Sequence, residues 1–189
     1  MRYKALSIIL IVGMFGIGLV QAQNQFLNMS LLSPLGLVND TTSRVKLNLS
    51  LLQGKVGYLK GASFAMGIQT FTTEMNGVGF TGLLNYNKGD FKGAQFSLGP
   101  NITGGSSKGL LWSVVGNLSF GSTKGVTVSS VLNCQIGDMK GLQSSAGFNI
   151  VGGDFKGVEI GTMNVVSGDV RGLQLSGAVN VVLDTLNGL

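Results

Sequence analysis

The chain has 189 residues, with 13 Lys+Arg against 8 Asp+Glu, no histidine, one cysteine, two prolines and 31 glycines. A charged fraction of 11% with positive mean hydropathy excludes a disordered polar chain; one cysteine excludes an internal disulfide scaffold, and glycine without a three-residue period excludes collagen. The lack of histidine removes His general bases, Ser-His-Asp triads and His metal sites.

Residues 1–22 read as a secretory signal peptide. Arg2 and Lys4 are the positive start, Ala5 to Leu19 is uncharged and mostly apolar, and Val20-Gln21-Ala22 is a small-x-small cleavage site. The apolar stretch is short for a membrane span of about 20 residues. The expected mature chain starts near Gln23 and forms one β-repeat domain over 23–189. It carries 11 basic and 8 acidic residues, a bias too weak to argue for nucleic acid.

Residues 26–33 and 45–52 alternate apolar and polar, as half-buried strands do. A repeat then takes over. Lys60-Gly61, Asn76-Gly77, Lys92-Gly93, Lys108-Gly109, Lys124-Gly125, Lys140-Gly141 and Lys156-Gly157 are each 16 residues apart, and Arg171-Gly172 follows after 15. Asn85, Asn101, Asn117, Asn133, Asn149 and Asn180 lie eight residues after the repeat glycine; Asn164 lies seven after, in a repeat shortened by one residue. Such a fixed period is the signature of a repeat architecture.

Within each repeat the period is two. Ala94, Phe96, Leu98, Pro100 and Ile102 alternate with Gln95, Ser97, Asn101 and Thr103; Leu110, Trp112 and Val114 fall on the apolar side and Ser113 and Asn117 on the polar one. This predicts strands with one apolar face. Gly-Asp pairs at 89–90, 137–138, 153–154 and 168–169 signal turns. Small residues such as Gly67, Gly99 and Gly147 predict a kink in mid-repeat.

Two all-β architectures fit this pattern. A closed or nearly closed antiparallel barrel of about ten strands is the preferred expectation; a parallel β-solenoid with one coil per 16 residues is the alternative. Three arguments favour the barrel. The alternation runs through ten positions without a visible corner. A solenoid would stack the lysines about 4.8 Å apart, at roughly 0.9 kcal/mol of repulsion per pair in water. Solenoids also need a polar terminal cap, and the sequence closes on Gly188-Leu189 directly after a repeat.

The string Gly153-Asp154-Phe155-Lys156-Gly157-Val158-Glu159-Ile160-Gly161, followed by Met163-Asn164-Val165-Val166, resembles the G-x-Q-x-G-x-x-N repeats of exported bacterial surface-repeat proteins. The resemblance covers roughly residues 45–189 and implies a place in the bacterial cell envelope, with no catalytic residue to carry over. A leader followed by glycine-rich strands is also similar, in general character, to the β-flower proteins. That second resemblance implies a shallow antiparallel barrel with an apolar inner channel.

No constellation points to catalysis, a metal or a cofactor. Glu74 and Glu159 are isolated, one Asp per 16 residues is too sparse for repeat-type calcium sites, and Cys134 between Leu132 and Ile136 reads as a packed small hydrophobe. The expectation is a non-enzymatic exported protein, structural or binding an apolar or lipid ligand. The alternatives are a small outer-membrane β-barrel and a surface-binding solenoid displaying its Gln/Asn face. Candidate contacts to an anionic surface are Lys60, Lys92, Lys108, Lys124, Lys140, Lys156 and Arg171. Candidate apolar-face contacts are Phe96, Trp112 and Val128, on a face expected to pack internally or to receive lipid.

Overall fold

A computed structural model describes residues 24–33, 35–36 and 43–189, so the expected leader lies outside the described residues. Among the described residues, sixteen strands join in one sheet that winds into a β-solenoid of about ten turns. Successive turns pair in parallel and in register: Thr123–Ser129 lies between the equivalent strands Ser107–Ser113 and Met139–Ser145, with Lys124 beside Lys108 and Lys140. The one antiparallel pairing among the described residues joins Leu35–Gly36 to Asn24–Leu32 in the first turn. The antiparallel barrel expected above is therefore corrected to its alternative, the 16-residue parallel solenoid.

The reason the corners escape a reading of the sequence lies in their length. In the turn starting at Phe91, the inward side chains are Phe91, Gln95, Ser97, Asn101 and Thr103. Between them the chain makes three outward excursions, 92–94, 98–100 and 104–106, each three residues long. An excursion of odd length returns the chain with its in-out alternation unshifted. A repeat of 16, an even number, does the same from turn to turn. The period of two thus passes through every corner in phase, and the predicted mid-repeat kink is one of them.

The first corner is built on glycine. Gly93, Gly109, Gly125, Gly141 and Gly157 all have φ between 130° and 143°, a region that side-chain-bearing residues avoid. The column also brings backbones together: a Cβ on Gly125 would stand 2.0 Å from the carbonyl oxygen of Gly109. Hence the glycine that defines the repeat.

The interior is largely polar. Asn85, Asn101, Asn117, Asn133, Asn149, Asn164 and Asn180 form a ladder in which each Nδ2 donates to the Oδ1 of the next, at 2.8 to 3.0 Å. Each amide also reaches the backbone, as Asn133 Nδ2 does to Ser144 O at 2.7 Å. The ladder works because a carboxamide carries a donor and an acceptor on one planar head, so identical residues one strand spacing apart chain head to tail. Two apolar clusters lie along the same axis. One gathers Val45, Val56, Leu59, Phe71, Met75, Phe91 and Leu111; the other Met139, Val151, Phe155, Val166 and Val170. Between them Ser107, Ser119, Thr123 and Gln135 fill the interior with a hydroxyl-amide network of contacts from 2.6 to 3.2 Å.

Of the two expectations for the apolar face, internal packing is corrected. The polar residues of the alternation point in, and the apolar ones point out. Trp112 is 38% exposed, whereas Asn101 and Ser113 are buried. Phe96 and Val128, in register with Trp112 on the neighbouring turns, lie on the same outward column and are half-buried. The Gln/Asn face that the solenoid alternative was expected to display is the lining of the core. Period-two alternation fixes that two faces differ but not which one closes on itself. Here the asparagine amides satisfy one another across turns, so burying them carries little of the cost of an unpaired polar group. Several inward hydroxyls, among them Ser97, Thr127 and Ser145, are nevertheless buried without a partner.

Candidate functional site

Three outer sides follow from the three corners. Two carry the apolar columns, and the third carries charge. On the first apolar side, Phe64, Phe80, Phe96 and Trp112 stand in register on four successive turns. Phe64 and Phe80 stack at 5.2 Å between centroids and 7° between planes, Phe80 and Phe96 at 4.9 Å and 9°, and Trp112 tilts by 43° on Phe96 at 6.4 Å. Exposed Leu98, Val114 and Val115 continue the apolar surface round the corner. The second side adds Ile102, Leu118, Cys134 and Ile150 in one outward column. Cys134 is half-buried there, and burial pushes its thiol pKa up, away from reactivity.

The third side gathers most of the basic residues singled out from the sequence. Lys92, Lys108, Lys124, Lys140, Lys156 and Arg171 are exposed and follow one another turn by turn. Lys60 is not contiguous with them, since Asn76 holds the intervening turn. Arg44 lies over the ring of Tyr58, with its guanidinium carbon 5.5 Å from the centroid. The stacking of lysines that counted against a solenoid is present; the side chains are long, exposed and spread into water, where screening makes the repulsion small.

Two residues before each cation runs a second column: Asp90, Ser106, Ser122, Asp138, Asp154 and Asp169. The aspartates serve the backbone of the next turn. Oδ1 of Asp90 accepts from Ser106 N at 2.9 Å, Asp138 from Asp154 N at 3.1 Å, and Asp154 from Asp169 N at 3.0 Å. Between the two columns runs a groove of about 770 Å³ lined by residues from Glu74 to Arg171. Neither the groove nor the two serines that interrupt the acidic column stood out in the sequence. The substitution of Ser for Asp at 106 and 122 was the available signal.

Glu159 is isolated in the sequence, and its role in the fold comes from its neighbours on adjacent turns. It occupies the inward position held by Gln95, Gln143 and Gln174 on other turns and is fully buried. Gln174 Nε2 donates to its Oε2 at 2.7 Å, and its Oε1 has no partner. Burial pushes the carboxyl pKa from 4.5 up to about 7, against a smaller lowering by the Gln174 hydrogen bond. Because the fold favours the protonated form, the native state holds more protons than the unfolded one between these values. Stability is therefore full below about pH 4.5, falls as pH rises, and levels off above about pH 7 at a cost of roughly 3 kcal/mol. Glu159→Gln restores the column's neutral amide. It is expected to remove most of this pH dependence and to gain roughly 2–3 kcal/mol at pH 8, read from urea midpoints at pH 5 and pH 8. An unchanged slope in the variant would assign the dependence elsewhere.

No protein-family model, curated protein or solved structure matches the chain.

Proposed function

We propose that the protein is an exported, non-enzymatic component of the bacterial cell envelope that binds a lipid surface through the apolar outer sides of its solenoid. The observation carrying this reading is the outward aromatic stack from Phe64 to Trp112, set over a largely polar core built on the asparagine ladder. Contiguous exposed apolar surface of this kind marks a site of contact with another apolar phase. Lipid is the partner favoured by charge. Without the leader the chain has 11 basic and 8 acidic residues, a net +3. Six of those cations, Lys92 to Arg171, file along the side that the apolar columns leave free, where they would remain in water near anionic headgroups. The leader-like residues 1–22 support export.

The surface-binding solenoid is thus retained with its binding face changed, from the Gln/Asn columns to the aromatic and aliphatic ones. Trp112 is the native reporter. Its emission is expected to shift to the blue on adding vesicles containing phosphatidylglycerol. Trp112→Ala is expected to cost about 2 kcal/mol in stability, less than the loss of a fully buried ring, because 38% of the residue is already exposed. The triple change Phe80→Ser, Phe96→Ser and Trp112→Ser should lower vesicle partitioning at least tenfold while the β circular-dichroism signal persists. A wild-type protein that neither floats with vesicles nor shifts its emission would overturn the lipid reading.

A further inference from the structure

The groove on the charged side is a separate feature, and its charge is uneven along its length. In the turns of Lys92, Lys140, Lys156 and Arg171, an aspartate two residues earlier offsets the cation. In the two middle turns it does not: Gly105-Ser106-Ser107-Lys108 and Gly121-Ser122-Thr123-Lys124 place hydroxyls where the others have carboxylates. The two segments are in direct register, Ser107 beside Thr123 and Lys108 beside Lys124. The inward residues below them are small and hydroxylated, where the flanking turns have Phe91 and Met139. The centre of the groove is therefore cationic and hydroxyl-lined, and Asp90 and Asp138 bound it on either side.

We infer that this groove binds a linear acidic polysaccharide laid along the solenoid axis. Lys108 and Lys124 anchor two successive anionic groups, and Ser106 and Ser122 hydrogen-bond the sugar. Three observations select this class. The cations form a single file at the strand spacing of about 4.8 Å, nearly the advance of one hexose in an extended glycan. The lining offers hydroxyls and ammonium groups, which match a polymer of hydroxyls and carboxylates. The aromatic rings that line the groove, Phe91 and Phe155, are buried, so no stacking platform is presented to nucleobases.

The test is calorimetric titration of the purified protein with oligogalacturonate, with neutral dextran as the blank. Binding to oligogalacturonate is expected, and it should weaken steeply as salt is raised. Lys108→Gln with Lys124→Gln should weaken it at least tenfold. Ser106→Asp with Ser122→Asp should do the same, and that variant folds by the hydrogen bond that Asp90 and Asp138 already make. Lys60→Gln, outside the groove, should leave affinity unchanged, with thermal melting verifying that every variant is folded. Equal loss in Lys60→Gln, or no preference over dextran, would overturn the site. Binding of polyphosphate of matched length as tightly as oligogalacturonate would overturn the assignment to a glycan. So would displacement of oligogalacturonate by phosphatidylglycerol vesicles that itself depends on Lys108 and Lys124, since the groove would then belong to headgroups.

Discussion

Gly125→Ala is expected to destabilise the solenoid by at least about 4 kcal/mol, combining a strained backbone with an overpacked contact. The backbone there has φ of 140°, which a Cβ-bearing residue reaches only at a cost. The second component is steric. The added methyl would stand 2.0 Å from Gly109 O and 2.9 Å from the Gly109 carbonyl carbon and nitrogen. No rotamer relieves a clash with backbone, so adjacent turns must separate and give up the hydrogen bonds that pair them. The measurement is a urea midpoint at neutral pH. Gly177→Ala is the control, since a Cβ there meets only one atom, at 3.8 Å. That change should move the midpoint little. A cost under about 1 kcal/mol for Gly125→Ala would mean that the turns can part at this corner without loss.

Asn133→Ala is expected to cost about 3–5 kcal/mol, the sum of a broken buried network and a small cavity. Asn133 Oδ1 accepts from Asn117 at 2.8 Å, while its Nδ2 donates to Asn149 Oδ1 at 3.0 Å and to Ser144 O at 2.7 Å. Truncation takes the ladder donor from Asn149 and the ladder acceptor from Asn117 in a place that water does not reach. The position in the ladder should decide the size of the effect. Asn180 stands at its exposed end, where water can replace a lost partner. Asn180→Ala should accordingly cost about 1–2 kcal/mol, the net worth of its two part-exposed hydrogen bonds, from Asn164 and to Gln174 O. Equal effects at 133 and 180 would argue that the ladder does not act as a buried unit.

These two residue types were the strongest signals in the sequence, and each was legible for a physical reason. Glycine recurred because only a residue without Cβ can occupy the first corner, and asparagine because only a carboxamide can chain to copies of itself. Their common period of 16 identified a repeat, the alternation identified strands, and the cluster of small residues marked one corner correctly. The lysines from Lys92 to Lys156 were legible as sharing one repeat position; that they stand in one column follows from the parallel register.

What the sequence by itself determined, then, was the unit: its length, its all-β character, its polar and apolar faces, and the phase of its glycines, asparagines and lysines. Only the tertiary structure decided how units join and which face closes. Corners of three residues preserve the alternation, so a wound coil and a straight hairpin strand read alike. The choice between parallel and antiparallel pairing rests on contacts 16 residues apart that leave no local trace. The closing of the polar face depends on amides satisfying one another across turns, as Asn117, Asn133 and Asn149 do. That satisfaction is a property of the stack, and it is what leaves Phe96 and Trp112 outside and brings Ser106, Ser122, Lys108 and Lys124 together along one groove.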